Sequence, residues 1–115
     1  MSLNKSERKS VDWYFQECGP KDAPPVILLH GFMGLSDDWR EVTDLLKSRF
    51  RCIMPDLPGH GRSGFPIRRE MITIESVAQG VVSLLDQLHL DKATLLGYSM
   101  GGRTALFTAL QFPDR

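Results

Sequence analysis

The 115-residue sequence predicts an α/β fold built on a mostly parallel sheet with helices on both faces. Three observations carry that prediction. Strand-like and helix-like patterns alternate along the chain, and the apolar run at 25–30 (PVILLH) is continuous rather than alternating. A later apolar run at 93–96 (ATLL) passes through a glycine-rich turn into a helical pattern. Alternating strands and helices signal a parallel sheet whose crossovers pack on its faces, with right-handed connections. A strand buried on both faces reads as an unbroken apolar run.

Residues 1–10 carry Lys5, Arg8 and Lys9 with Glu7 among them, and read as a disordered or extended, solvated tail. Residues 11–17 (VDWYFQE) are rich in strand formers, and Gly19-Pro20 closes them with a turn. After the strand at 25–30, Ser36 is the expected cap of a helix whose first turn carries Asp37 and Asp38 against the macrodipole. Trp39, Val42, Leu45 and Leu46 form its expected apolar stripe. Residues 50–54 (FRCIM) make a short strand, and 55–61 a loop, because two prolines and two glycines leave no helix to propagate. A helix is expected from about Ile74 to Leu90, burying Val77, Val81, Leu84, Leu85 and Leu88 along with Ile74. A buried strand at 93–96 and a helix from Arg103 to Gln111, stopped before Pro113, complete one unit spanning 11–115.

Composition narrows the function classes. Fourteen Lys and Arg balance fourteen Asp and Glu, so the formal net charge is zero, which argues against a nucleic-acid partner. No apolar stretch approaches the roughly 20 residues a membrane helix needs, and the N-terminus lacks the apolar core of a secretory signal. Cys18 and Cys52 are far apart in sequence, so a reducing, cytoplasmic setting is expected rather than a disulfide framework. His30, His60 and His89 have no metal-ligand spacing, and no metal is expected.

Gly97-Tyr98-Ser99-Met100-Gly101 fits G-x-S-x-G between a strand and a helix. That pattern describes a sharp, strained turn that lifts a serine to the sheet edge, at the N-terminus of a helix whose dipole favours negative charge. Ser99 is the candidate nucleophile or base, with Gly97 and Gly101 giving the strand and helix room to close. His30-Gly31-Phe32-Met33-Gly34 follows the first buried strand and so belongs at the same edge. The backbone N–H groups of Phe32 and Met100 are the expected pair of oxyanion donors. His30 is expected to bond the loop backbone and hold its shape. Asp56-Leu57-Pro58-Gly59-His60-Gly61-Arg62-Ser63 reads as a turn packed beside the elbow, since Asp56 and His60 are too close in sequence to complete a triad with Ser99.

Together HGFMG, DLPGHGRS and GYSMGG resemble the α/β-hydrolase family. The resemblance implies an enzyme that needs no cofactor, because proton transfer and an oxyanion hole suffice. Ser99 stands where the haloalkane-dehalogenase and epoxide-hydrolase branches carry an aspartate, which sets those branches aside. The stretch GYSMGGRTAL, with HGFMG followed by DDW, is more closely similar to the 2-succinyl-6-hydroxy-2,4-cyclohexadiene-1-carboxylate synthases of menaquinone and phylloquinone biosynthesis. In that branch a serine-containing triad abstracts a proton and pyruvate is eliminated. The resemblance makes Arg103 a clamp for a substrate carboxylate, a task to which its bidentate fork is suited. Tyr98 and Met33 become substrate contacts, and Gly31 a structural neighbour of the site. A carboxylesterase or C–C bond hydrolase of the same fold is the alternative, as is a non-catalytic interaction product.

The family's triad runs Ser, then Asp or Glu, then His. No histidine follows Ser99, and Asp114 sits at the far end of the helix that Ser99 begins. The expectation is therefore of an N-terminal half, inactive alone and only marginally stable. Its partners would be a small-molecule carboxylate substrate and its own C-terminal half as a separate chain.

Overall fold

A computed structural model describes residues 13–63 and 73–115. The tail expected at 1–10 and the first two residues of the strand expected at 11–17 lie outside them. Among the described residues four strands form one sheet: β1 (Phe15–Cys18), β2 (Pro25–Leu29), β3 (Arg51–Pro55) and β4 (Thr94–Gly97). Their spatial order is β1-β3-β2-β4. β3 and β4 flank β2 in parallel, and β1 lies antiparallel on the outer side of β3. The sheet is thus mostly parallel, as the unbroken apolar run at 25–30 predicts.

Alternation along β2 sorts the core into two layers. Ile27 and Leu29 face one way, joined by Ile53 and Leu57 and covered by Val77, Val81, Leu84 and Leu85 of helix α2 (Ile74–Gln87). Val26 and Leu28 face the other way with Cys52 and Met54, under Trp39 and Leu46. Ile27, Leu28, Leu29 and Ile53 have no accessible surface, so the centre of the sheet is dry on both faces. Helix α3 (Met100–Gln111) follows β4 and lies beside α2.

The segment after β2 departs from the sequence expectation. Ser36 does not cap an α-helix; it opens a 3-10 turn, Ser36–Trp39, that precedes α1 (Arg40–Leu46). The cap falls instead to Asp38, whose carboxylate accepts the Leu35 N–H at 3.0 Å. Because a 3-10 turn advances faster than an α-turn, the apolar stripe changes phase. Trp39, Thr43 and Leu46, spaced i, i+4, i+7, face the sheet, while Val42 is exposed and Leu45 is 83% exposed. The expected burial of Val42 and Leu45 is therefore incorrect.

Helix α2 starts where expected, on a cap the sequence reading left out. Thr73 Oγ1 accepts the Ser76 N–H at 3.0 Å and Ser76 Oγ accepts the Thr73 N–H at 2.9 Å. It ends at Gln87 rather than Leu90, because His89 takes a left-handed conformation (φ 60°). The His89 N–H bonds the Asp86 carbonyl (3.1 Å) and the Leu90 N–H the Leu85 carbonyl (2.8 Å), the paired bonds of a Schellman ending. No glycine marks that stop. Ile74, expected to be buried, is 38% exposed on the first turn. Strand β4, expected to be buried, has exposed Thr94 and Leu96 because it is an outer strand of this sheet.

One glycine of α2 faces the sheet's edge. A Cβ on Gly80 would lie 2.4 Å from Cζ2 of Trp13, a ring packed on the main core cluster. Alanine is favoured over glycine in a helix by about 1 kcal/mol, whereas overpacking costs roughly 1–3 kcal/mol. Gly80→Ala is expected to lower the denaturation midpoint and shift tryptophan emission, measured by urea unfolding. A higher midpoint would show that Trp13 does not fix this spacing.

Candidate functional site

The carboxyl ends of β2, β3 and β4 carry three loops, and each expected motif lies on one of them. Ser99 joins β4 to α3 with φ 53° and ψ −112°. A non-glycine residue in that region costs on the order of 1–3 kcal/mol and persists only where its surroundings hold it. Those surroundings are visible. The Tyr98 N–H donates to the Leu29 carbonyl (3.0 Å), carrying the β2–β4 ladder to the serine, and the Arg103 N–H donates to the Ser99 carbonyl (3.0 Å). A Cβ on Gly97 would stand 2.3 Å from the Gly101 carbonyl oxygen, and one on Gly101 would stand 2.0 Å from that of Leu29. Helix α3 begins at Met100, three residues before the expected Arg103, so the serine stands directly at its N-terminus.

The loop after β2 folds against this elbow. A Cβ on Gly31 would meet the Tyr98 ring at 3.0 Å, so Gly31 is the floor on which that ring lies. Gly31 to Gly34 form a turn closed by the Gly34 N–H on the Gly31 carbonyl (3.0 Å), with Met33 left-handed at φ 67°. The turn projects the side chains of Phe32 and Met33 outward, and they stand with Tyr98 as an apolar rim, each at least 70% exposed. Met100, first residue of α3, has no intrahelical acceptor for its N–H.

His30 links two of the loops. The Leu57 N–H donates to His30 Nε2 at 2.9 Å, so the ring proton sits on Nδ1, which donates to the Gly31 carbonyl at 2.7 Å. Both ring nitrogens are thereby committed. Burial pushes the imidazole below its ordinary value, outweighing the Gly31 bond that raises it. The His60 ring packs on His30 (4.9 Å between centroids) and edge-on against Phe32 (5.9 Å).

Asp56 organises the third loop, a role the sequence reading assigned only to a turn. It is 1% exposed. Burial would raise its carboxyl, but donated N–H groups from Arg62 (2.9 Å) and Ser36 (2.6 Å) reverse the effect and hold it below the usual carboxylate range. The Asp56 carbonyl accepts Ser63 Oγ (2.5 Å), and that oxygen accepts the Tyr14 N–H (2.9 Å). A Cβ on Gly61 would collide with the carboxylate at 2.3 Å, and Gly61 has φ 50°. The readable signal was an acidic residue at a buried strand end, with a glycine five positions later.

Arg103 is exposed on the first turn of α3 and forms no ion pair among the described residues. Asp114 is separated from Ser99 by the 12 residues of α3, about 18 Å of helix. Among the described residues no group of three or more His, Cys, Asp or Glu is placed to hold a metal ion, and no helix is long and apolar enough to cross a membrane.

Residues 24–115 match the family model for the α/β hydrolase fold. The chain belongs to that family. Among its relatives, the magnesium-chelatase 30 kDa subunit of Rhodobacter capsulatus is 36% identical over 103 residues, covering 90% of this chain and 36% of the relative. A Bacillus subtilis (strain 168) protein, for which 2-succinyl-6-hydroxy-2,4-cyclohexadiene-1-carboxylate synthase activity is proposed, is 35% identical over 99% of this chain and 41% of its own. The solved structure of a marine microorganism esterase superposes with a TM-score of 0.83 at 30% identity, covering 91% of this chain and 39% of the other. Epoxide hydrolases and a haloalkane dehalogenase are similar as well. The chain thus spans about two-fifths or less of these curated relatives' lengths.

Two outcomes test this geometry. Gly101→Ala is expected to cost more than about 3 kcal/mol or prevent folding, since the obstacle is backbone. Gly102→Ala, whose Cβ would make an ordinary 3.4 Å contact, should match or exceed the parent in a urea titration. Folding should also be linked to His30. Its folded value lies below about 6.5, so the unfolded chain binds more protons below that pH and stability falls as the solution is acidified. The contribution is complete above about pH 6.5. Urea unfolding between pH 7.5 and 5 should show a shallower decline for His30→Gln, and an unchanged decline would remove His30 as its source. Asp56 acts lower, its contribution present above about pH 3.9 and lost as pH falls through its depressed value.

Proposed function

We propose that this chain supplies the nucleophile elbow and oxyanion loop of a serine-dependent enzyme that eliminates pyruvate to form 2-succinyl-6-hydroxy-2,4-cyclohexadiene-1-carboxylate. The observation that carries the reading is Ser99, held at φ 53° on the N-terminus of α3 against the 30–34 loop. Similarity to the Bacillus subtilis relative supports the choice of reaction. In this reading Ser99 takes a substrate proton through a histidine base, and the N–H groups of Phe32 and Met100 stabilise the developing oxyanion. One such donor is worth about 2.7–4 kcal/mol. Arg103 grips a substrate carboxylate, and Tyr98 and Met33 contact the substrate's apolar parts. A serine in place of an aspartate disfavours the dehalogenase and epoxide-hydrolase chemistries of the other similar proteins.

The base is drawn from outside this chain's three histidines. None of them follows Ser99, as the family's base does in chain order, and His30 is in addition committed at both nitrogens. The 115 residues by themselves therefore turn over no substrate, and the remainder of the domain is their first partner. The cytoplasm suits two free thiols. A carboxylesterase or C–C bond hydrolase is the second reading, favoured by the apolar rim of Phe32, Met33 and Tyr98 and by the fit to the esterase structure.

The experiment uses the natural gene product that bears this segment. Release of pyruvate from the succinyl-pyruvyl precursor, with p-nitrophenyl esters almost untouched, is the expected result; rapid ester hydrolysis with a burst selects the second reading. Ser99→Ala should lower kcat by about 10³-fold or more. Arg103→Lys should raise KM for the carboxylate substrate by roughly tenfold, the loss of one bidentate contact, with a smaller effect on kcat. An unchanged KM would remove Arg103 from the substrate site.

A further inference from the structure

The two cysteines sit at the opposite end of the strands from Ser99, and the proposed chemistry does not use them. Cys18 ends β1 and Cys52 is the second residue of β3, and the antiparallel register sets them directly opposite each other. Directly opposed residues share a face of the sheet, here the face packed under Trp39 and Leu46. The backbone bond from the Asp56 N–H to the Tyr14 carbonyl (2.8 Å) fixes the phase of the ladder. Hydrogen-bonded pairs recur at every second residue, so Cys18–Cys52 is one of them, with Cα atoms about 5.5 Å apart. That spacing lies inside the window of about 4.4–6.8 Å that a disulfide spans.

We propose that Cys18 and Cys52 form a reversible cross-strand disulfide when the protein meets a hydroperoxide. The two thiols have different parts. Cys52 is fully buried, and burial followed by the neighbouring Cys18 pushes its thiol up to about 11, so it stays protonated. Cys18 is half-buried and lines a cavity of about 130 Å³ between β1 and α1, together with Gln16, Arg40, Thr43 and Met54. A peroxide enters on that side. The Cys18 thiolate attacks one peroxide oxygen, the O–O bond breaks, and the departing hydroxide leaves as water once protonated. The sulfur of Cys52 then attacks the resulting Cys18 sulfenic acid, and its proton leaves with the displaced hydroxide as a second water. Two thiols are oxidised by two electrons in all, and one hydroperoxide is reduced.

The geometry also makes the bond easy to reverse. Opposed Cβ atoms in a hydrogen-bonded pair lie near 5.5 Å, while a relaxed disulfide holds them at about 3.5–4.5 Å. Strands β1 and β3 must draw together to close the bond, and a disulfide under such strain is readily reduced.

The test treats the natural gene product that bears this segment with hydrogen peroxide, denatures it with N-ethylmaleimide present, and reads the masses of its non-reduced tryptic peptides. The expected product is a monomer in which the Cys18 and Cys52 peptides are joined with no maleimide on either, returned to two reactive thiols by dithiothreitol. The two cysteines of this segment fall on different tryptic peptides, 10–21 and 52–62, so the joined pair has one assignment. In Cys18→Ser, Cys52 should pass through the peroxide step unchanged and take one maleimide. Two maleimides on the treated parent, a covalent dimer, or a Cys18 sulfinic acid beside a still-reactive Cys52 would each overturn the proposal. So would a disulfide that forms in urea and not in the folded chain.

Discussion

The backbone of α3 touches the backbone of β2, and the arrangement of the site depends on that contact. Only a residue without a Cβ allows it: at Gly101 the nearest obstacle would be the Leu29 carbonyl oxygen at 2.0 Å. Close approach brings the first turn of α3 against the carboxyl end of the central strand, so the helix dipole opens at the sheet edge. It also leaves the intervening residue little choice of conformation. Ser99 is strained because the strand before it and the helix after it are each fixed by longer-range contacts, Tyr98 on Leu29 and Gly101 under His30.

Beneath that contact lies a polar layer within an otherwise apolar core. His30 and Asp56 are both nearly inaccessible; His30 accepts the Leu57 N–H and donates to the Gly31 carbonyl, and Asp56 accepts the N–H groups of Ser36 and Arg62. Such groups are costly when unsatisfied and rigidifying when satisfied. Their effect is to hold two loops, at 30–36 and 56–63, in one relative position beside the serine's turn. A histidine and an aspartate near a candidate nucleophile thus serve the shape of the site. Their chemistry is used up in bonds that face inward.

The sheet and the elbow were legible because both are dictated by local, high-contrast signals. A five-residue apolar run such as Pro25–Leu29 has no comfortable place except between two layers, and glycines at 97 and 101 around a serine are explained only by a tight strand-to-helix turn. The stripe of the helix at 40–46 is not legible in the same way, because it depends on phase. One 3-10 turn moves Thr43 into the core and Leu45 out of it, and nothing in residue type announces that shift. The end of α2 is hidden for a related reason, since His89 fills a position where glycine is the usual marker. The role of Asp56 is not legible in sequence because a buried carboxylate is recognised by its partners, and Ser36 and Arg62 become its partners only in three dimensions.

The register of β4 on β2 has a consequence for how the chain acquires its site. Val26 pairs with Thr94, positions separated by 94 − 26 = 68 residues, whereas Val26 pairs with Cys52 across 52 − 26 = 26. Closing the longer separation carries the larger entropic cost, and during synthesis β4 emerges last of the four strands. Until it docks, nothing opposes relaxation of Ser99 to an ordinary backbone conformation. The serine of a partly folded or nascent chain is therefore an unremarkable alcohol, and its strained conformation comes into being only once β4 has docked.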